Sequence, residues 1–595
     1  MKEEPARKHE ALVDSQVHRL SRRNFVKGAA TLAAVTATVS VKPILDGTAS
    51  LVEAAGGNAS DRSHECFNYR KNVALAHKVN IKPRADNGDA ARFTDFSWCY
   101  SKGLPHDSLG IPNPQAILSL KNAFKSGKSA DFANIIIGTP RGGPNSKLTC
   151  PQSALAFDLE GMDSHSTVIP PAPCVDSAQT AAEQVELYWA ALLADVPFTE
   201  YATNELVGQA VSDMNNLSFL SSPANNQFPY PVTRQNLFRG QFGRGDGNLK
   251  GPYLSQFMIQ PTFFGSQPIN QQHKVFLPAG GGGRNYLTSV NEYQLVQNGG
   301  DTRLPIKYDL TPRYLRNGRD LAAYTRVDQP YQPYLVAFLV LTGLGAAPNP
   351  ASPYIRSLSQ KPFATLGGAD AATTLAEMST RALKAAWFHK WIKDMRIRPE
   401  EYGALVYARK TNASPMPQAA AALHNDVLNS SALLLTYSNY GTYLLPQPFP
   451  EGSPTHPCYP TGHGAVGGAC ITALKFFFNG NQKLRPLLTA GGRDVYEPSF
   501  DGLSLNTHSN DVRHLLDING ELNKLAYNVS FGHGIHAGIH FRSSTYWSIL
   551  LGEQVALSVL QDRAKSYNEP FTISITKFDG TTATISNEKD VVRTD

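Results

Sequence analysis

Pro454-Thr455-His456-Pro457-Cys458-Tyr459-Pro460-Thr461-Gly462-His463-Gly464 is the stretch from which the rest of the chain is read. A proline-rich run stops at Thr461-Gly462-His463, and the small residues Ala465, Val466, Gly467, Gly468, Ala469 and Cys470 follow. This pattern predicts a helix over 462–478 that packs closely against its neighbours. A helix N-terminus offers unbonded N–H groups and the positive end of its dipole to an anion. Thr461 adds a hydroxyl donor, and Gly462 admits a close backbone approach. Read alone, the same residues also describe a threonine N-cap with an incidental histidine.

Two further segments carry charge or imidazole in a pattern suited to the same anion. Lys390 lies on the last turns of a helix predicted over 370–394, whose Leu375, Met378, Leu383 and Trp387 face inward. Arg398 follows eight residues later, just before Pro399. Such residues are common at helix ends, so this pair decides nothing by itself. Asn528 to Arg542 holds His533, His536 and His540, with His540 just ahead of a helix predicted over 543–562. Three histidines at this spacing also suit zinc, but no clear carboxylate motif accompanies them.

Together the three segments resemble the vanadium-dependent haloperoxidases and the related type 2 phosphatidic acid phosphatases. The Lys390-to-Arg398 spacing, and His456 five residues before Thr461, are similar to the bromoperoxidase branch. Shorter likenesses extend the match to about residues 90–562. They are Ala181-Ala182-Glu183 with Tyr188-Trp189, Gln235 to Gly240, Asn317 to Leu321, and Leu551-Gly552-Glu553.

The resemblance implies a mainly α fold, a large helical bundle with long loops, and vanadate as cofactor. It implies that His540 is the vanadium ligand and that Lys390, Arg398, Thr461 and Gly462 bind the vanadate oxygens. His463 would bond the apical oxygen and act as acid and base toward peroxide. His456 matches the second active-site histidine of bromoperoxidases, and Asp328 is the candidate for orienting His463. The implied reaction oxidises halide, bromide first, with hydrogen peroxide to hypohalous acid, vanadium acting as a Lewis acid of constant redox state. A homo-oligomer is implied as well.

One departure bears on all of this. The family's third-segment arginine lies six residues before the ligand histidine, where Gly534 stands here. A charge-assisted bond is worth about 1.5–3 kcal/mol. His533 or His536, whichever faces the site, is expected to compensate when protonated, so that vanadate binding improves as pH falls from about 8 to 6. The departure keeps a vanadium-free homologue, a phosphatase-like hydrolase and a non-catalytic oxyanion-binding relative as alternatives. Ser544, where many phosphatase relatives carry an aspartate, speaks against phosphohistidine chemistry.

Composition sets the frame. The chain has 595 residues, 42% hydrophobic and 17% charged, enough apolar content for a deep core. A net charge of +6 over this length is no footprint for nucleic acid. Tyr334 to Ala347 is the longest apolar run beyond the N-terminus and is too short to span a bilayer. Ser21-Arg22-Arg23-Asn24-Phe25-Val26-Lys27 before an apolar stretch reads as a twin-arginine export signal over 1–55, implying a periplasmic or secreted protein. A loop-rich helical region, 56–315, and a helical region carrying the oxyanion site, 316–595, follow. Asp176 and Gln179 are expected to cap a helix ending before Pro197. Others are expected over 318–345 and 416–434, and a small hairpin over Phe571–Ile585, turning at Asp579-Gly580. Among six cysteines, Cys150 and Cys174 are the expected disulfide pair.

Overall fold

The small-residue helix expected after Thr461 forms over Gly462–Phe477, and all of it except His463 is buried. Its main partner is Arg542–Ala564, and a seam of glycines brings the two together. A Cβ on Gly468 would overlap the Ile549 carbonyl, one on Gly552 the Ala465 carbonyl, and one on Gly464 the Ser548 hydroxyl. The long helix Gly368–Phe388 lies against the other side of Gly462–Phe477, with Leu375, Met378 and Ala382 buried there. Helix Ile518–Phe531 completes the group around it.

The computed structural model describes residues 59–79, 84–108, 110–140, 142–143, 145–242, 248–509 and 511–587. The expected export signal, including Arg22 and Arg23, lies outside the described residues. Residues 1–75 and 76–595 form separate compact units, and described helix Ala59–Val79 begins in the first. Residues 76–315 and 316–595 lie together in the second. The fold is mainly α. Its described strands are three antiparallel pairs: Thr262–Phe264 with Gln267–Ile269, Tyr496–Pro498 with Leu505–Thr507, and Thr572–Thr576 with Thr582–Ser586. The last is the hairpin expected near the C-terminus, with Thr572 opposite Ser586. No described helix is long and apolar enough to cross a membrane.

Several elements differ from expectation. The helix expected over 318–345 is two, Gly318–Val327 and Gln332–Gly343. Pro330 lacks an N–H, and the break leaves Asp328 extended at the end of the first. Residues 416–434 break at Pro417, Leu423 and Ser430 into Gln418–Ala421, Asn425–Leu428 and Ser431–Tyr440. Helix Ala178–Leu192 is capped by Ser177, whose hydroxyl accepts from the Thr180 N–H, because Asp176 is engaged by Arg92. Pro399–Lys410, which lacks a strong apolar stripe, and Ile518–Phe531 were not expected. All six cysteines are free thiols, and Cys150 is exposed while Cys174 donates to the Asn87 carbonyl.

The glycine seam makes a direct prediction. Gly468→Val and Gly552→Val each force a branched side chain into a backbone carbonyl, an overpacking worth about 1–3 kcal/mol or more. Denaturant unfolding should show midpoints well below wild type. Unchanged midpoints would mean that the helices can separate without penalty.

Candidate active site

Helix Gly368–Phe388 runs into a π turn, His389–Asp394, closed by Met395 at φ 42°. Lys390 sits on that turn, fully buried, with Nζ donating to the carbonyls of Pro457 at 2.7 Å and Cys458 at 3.2 Å. Arg398 is also fully buried and precedes helix Pro399–Lys410, its N–H donating to the Glu401 carboxylate at 2.8 Å. The Arg398 guanidinium spreads over two histidine segments. Nε donates to the His456 carbonyl (2.8 Å), Nη2 to His456 Nδ1 (2.8 Å), and Nη1 to the Ile539 carbonyl (2.7 Å) and His540 Nε2 (3.0 Å). Neither cation forms an ion pair with a carboxylate among the described residues. Burial and the nearby guanidinium push the Lys390 pKa well below its usual value, and burial lowers Arg398 too. A bound anion would relieve both.

These contacts assign tautomers. A guanidinium has no acceptor, so the nitrogens facing Arg398 carry lone pairs. His540 is therefore bare at Nε2 and His456 bare at Nδ1. Burial, then Arg398 and Lys390, hold the His540 pKa well below its usual value, so the imidazole stays neutral and able to ligate. His456 packs at a tilt against Trp387, with ring centroids 4.8 Å apart, and lies 6.4 Å from the His540 ring. His463, on the first turn of helix Gly462–Phe477, has Nε2 3.0 Å from Asp328 Oδ1. The Asp328 side chain is 1% exposed and that of His463 is 18% exposed, which leaves the His463 ring on the open side of the site. A carboxylate only accepts, so Nε2 carries the hydrogen and Nδ1 is left to exchange a proton.

Thr461 holds the N-cap position, yet its hydroxyl makes no cap bond and is buried without a hydrogen-bond partner. That orphan donor, two buried cations, a bare imidazole nitrogen and a helix N-terminus are the donor set of a tetrahedral oxyanion. The residues present therefore fit vanadate. A Cβ on Gly462 would press on Leu383 at 3.1 Å and Trp387 at 3.3 Å, so glycine there lets the Lys390 helix come close.

A second layer holds the histidine segment. Glu183, fully buried, takes the Arg396 guanidinium at 3.1 Å, the Ser543 hydroxyl at 2.8 Å and the Ser543 N–H at 3.2 Å. Glu186 pairs with buried Arg542. Both carboxylates come from helix Ala178–Leu192, and both neighbours follow His540 directly.

The place left by the missing arginine is filled unexpectedly. Gly532–His536 is a π turn, with Ala537 N–H bonded to the Gly532 carbonyl at 3.0 Å. In this wider turn a Cβ on Gly534 would meet Thr545 Oγ1 at 2.7 Å and His540 Cβ at 3.3 Å. His533 instead turns toward the site, stacked on His463 at 3.7 Å and 5.7 Å from the His540 ring. Its Nδ1 has no hydrogen-bond partner. His536 points away, bonded to the Tyr253 hydroxyl at 2.8 Å among Phe198 and Phe238. Burial, and then neighbouring charge including Arg398 and Lys390, hold His533 well below its usual pKa while the site is free of an anion. The glycines flanking His533 are the sequence signal for this turn.

No protein-family model matches the chain. Curated relatives do. A vanadium-dependent bromoperoxidase of Corallina officinalis is 32% identical over 611 residues, covering 89% of this chain and 99% of the relative. The chain belongs to the vanadium-dependent bromoperoxidase family. A second member, from Ascophyllum nodosum, is 31% identical and covers 88% of this chain and 92% of its own length. The solved homohexameric structure of the second vanadate-dependent bromoperoxidase from Ascophyllum nodosum matches with TM-score 0.78 and 26% identity, covering 93% of this chain and 95% of the other. The hydrolase and non-catalytic alternatives have no support among these relatives.

His536 offers a test of the histidine burial. Desolvation lowers its pKa to about 3, whereas the unfolded chain protonates it near 6.5. Below pH 6.5 the unfolded state binds the extra proton, so this histidine's contribution to stability is complete above 6.5 and is lost as pH falls. His536→Gln should be less stable than wild type at pH 8, and the gap should narrow by about 1.4 kcal/mol per pH unit below 6.5. Unfolding curves at pH 8, 6 and 5 measure it, and a constant gap contradicts it.

Proposed function

We propose that this chain binds vanadate and oxidises halide, bromide foremost, with hydrogen peroxide to hypohalous acid. The observation that carries the reading is the fully buried pair Lys390 and Arg398, which faces a bare His540 Nε2 and has no carboxylate partner among the described residues. When bound, vanadate supplies a Lewis acid that activates peroxide without changing oxidation state. His540 ligates through Nε2. Arg398, Lys390, the Thr461 hydroxyl and the Gly462 N–H would hold the oxygens of bound vanadate, with Lys390 Nζ supplying a positive charge that polarises them. His463 exchanges a proton at Nδ1 while Asp328 fixes its other nitrogen. His456, kept bare at Nδ1 by Arg398 and set beside Trp387, tunes halide and peroxide handling.

The chain acts as a homo-oligomer in this reading, supported by the homohexameric relative. Its site is periplasmic or secreted after twin-arginine export, supported by the Arg22-Arg23 string. Intact mass of periplasmic material should then lack residues 1 to about 55. A full-length mass there, or export unaffected by Arg22→Lys with Arg23→Lys, removes that part.

Vanadate titration of the apo-protein, followed by peroxide-dependent bromination, tests the activity. Wild type should be activated saturably, and Lys390→Ala and His540→Ala should lose bromination. His533→Arg should restore a cation and tighten vanadate binding about 10- to 100-fold, the worth of a charge-assisted bond. Gly534→Arg should instead destabilise the fold by displacing Thr545. No activation of wild type at any vanadate concentration would refute the reading.

A further inference from the structure

We propose that Cys458 is a positioning residue that acts with Arg398 to decide which nitrogen of His540 stays bare. The inference rests on His540 being the vanadium ligand. Arg398 Nη1 lies 3.0 Å from His540 Nε2 and can only donate. The neutral ring must then carry its hydrogen on Nδ1. The atom facing Nδ1 is Cys458 Sγ, at 3.4 Å. The sulfur accepts that hydrogen, and Ser544 Oγ, which receives Arg396 Nη1 at 3.2 Å, lies 3.3 Å from it. The reverse arrangement, with the thiol donating to Nδ1, would put a hydrogen on Nε2 against the guanidinium, donor against donor.

The same residue is tied to the rest of the site through its backbone. Its carbonyl accepts from Lys390 Nζ at 3.2 Å, and its N–H donates to the Arg396 carbonyl at 3.0 Å. Cys458 therefore couples the placement of one cation to the orientation of the ligand imidazole. A histidine that binds a metal almost always donates its other N–H to a carboxylate, carbonyl or water. A thiol is a weaker and softer acceptor than any of these. It holds the ring in direction without drawing it toward imidazolium. Alanine at 458 would leave Nδ1–H buried without a partner, while serine keeps an acceptor at nearly the same place.

The test compares Cys458→Ala and Cys458→Ser with wild type by equilibrium dialysis against vanadate and, separately, inorganic phosphate. Phosphate meets the same cations but forms no bond to an imidazole. Cys458→Ala should weaken vanadate binding about 10-fold or more, leave phosphate binding nearly unchanged, and be rescued by serine. In ¹⁵N-histidine spectra of the apo-protein, assigned with His540→Gln, His540 should show its hydrogen on Nδ1 in wild type and a tautomer mixture in Cys458→Ala. Equal losses for both anions, no loss for vanadate, or a wild-type hydrogen on Nε2 would overturn the proposal. If wild type binds phosphate but not vanadate, the cofactor reading fails, and the spectra alone then decide the role of Cys458.

Discussion

Lys390 and Arg398 meet four backbone carbonyls and two imidazole nitrogens in a space closed to water. Removing a charge from water costs several kcal/mol even after relaxation, and neutral dipoles return only part of that. The free protein keeps this unfavourable field because its two carriers stand on separate, well-anchored elements, a π turn and a helix start. The uncompensated field is what attracts a multiply charged oxyanion. Every neighbouring group is arranged around it: His456, His533 and His540 are held well below their usual pKa, and the Thr461 hydroxyl is left without a protein partner.

Carboxylates are numerous nearby but lie one layer back. Glu183 and Glu186 are committed to Arg396 and Arg542, and Glu400 to Lys102. Each such pair is neutral overall and fixes backbone without cancelling the charge of the inner cations. Asp328 comes closest to the chemistry, and it reaches the site only through the His463 ring. This layering lets the second shell be rigid and ionic while the inner shell stays electropositive, which is the preorganisation that catalysis by charge stabilisation requires.

The sequence made much of this legible, for identifiable reasons. Thr461-Gly462-His463 before a run of small residues marks a helix start whatever its partners, and the hairpin around Asp579-Gly580 is a local turn signal. Lys390 and Arg398 become informative only in combination with the histidine segments, since each alone is an ordinary helix-end residue. What escaped depended on tertiary packing. Pro399–Lys410 is buried on almost every side, so no apolar stripe distinguishes it. The π turns at His389 and Gly532 add one residue to a helical turn, and counting positions at the ordinary period aims the wrong side chain, Gly534 in place of His533. Cys150 and Cys174 are joined by nothing in the fold, although the expected export and their flanking of a proline-rich loop suited a bridge.

The grip of Arg398 on His540 has a kinetic side. Nη1 occupies the very lone pair that a ligand atom would need, so the free site is latched. Loading is then an exchange in which the guanidinium hands over the imidazole and takes an oxygen of the newcomer in its place. The entering anion must arrive before the latch opens fully, and departure requires the same swap in reverse. Uptake and loss of the cofactor would then each include this swap beside diffusion.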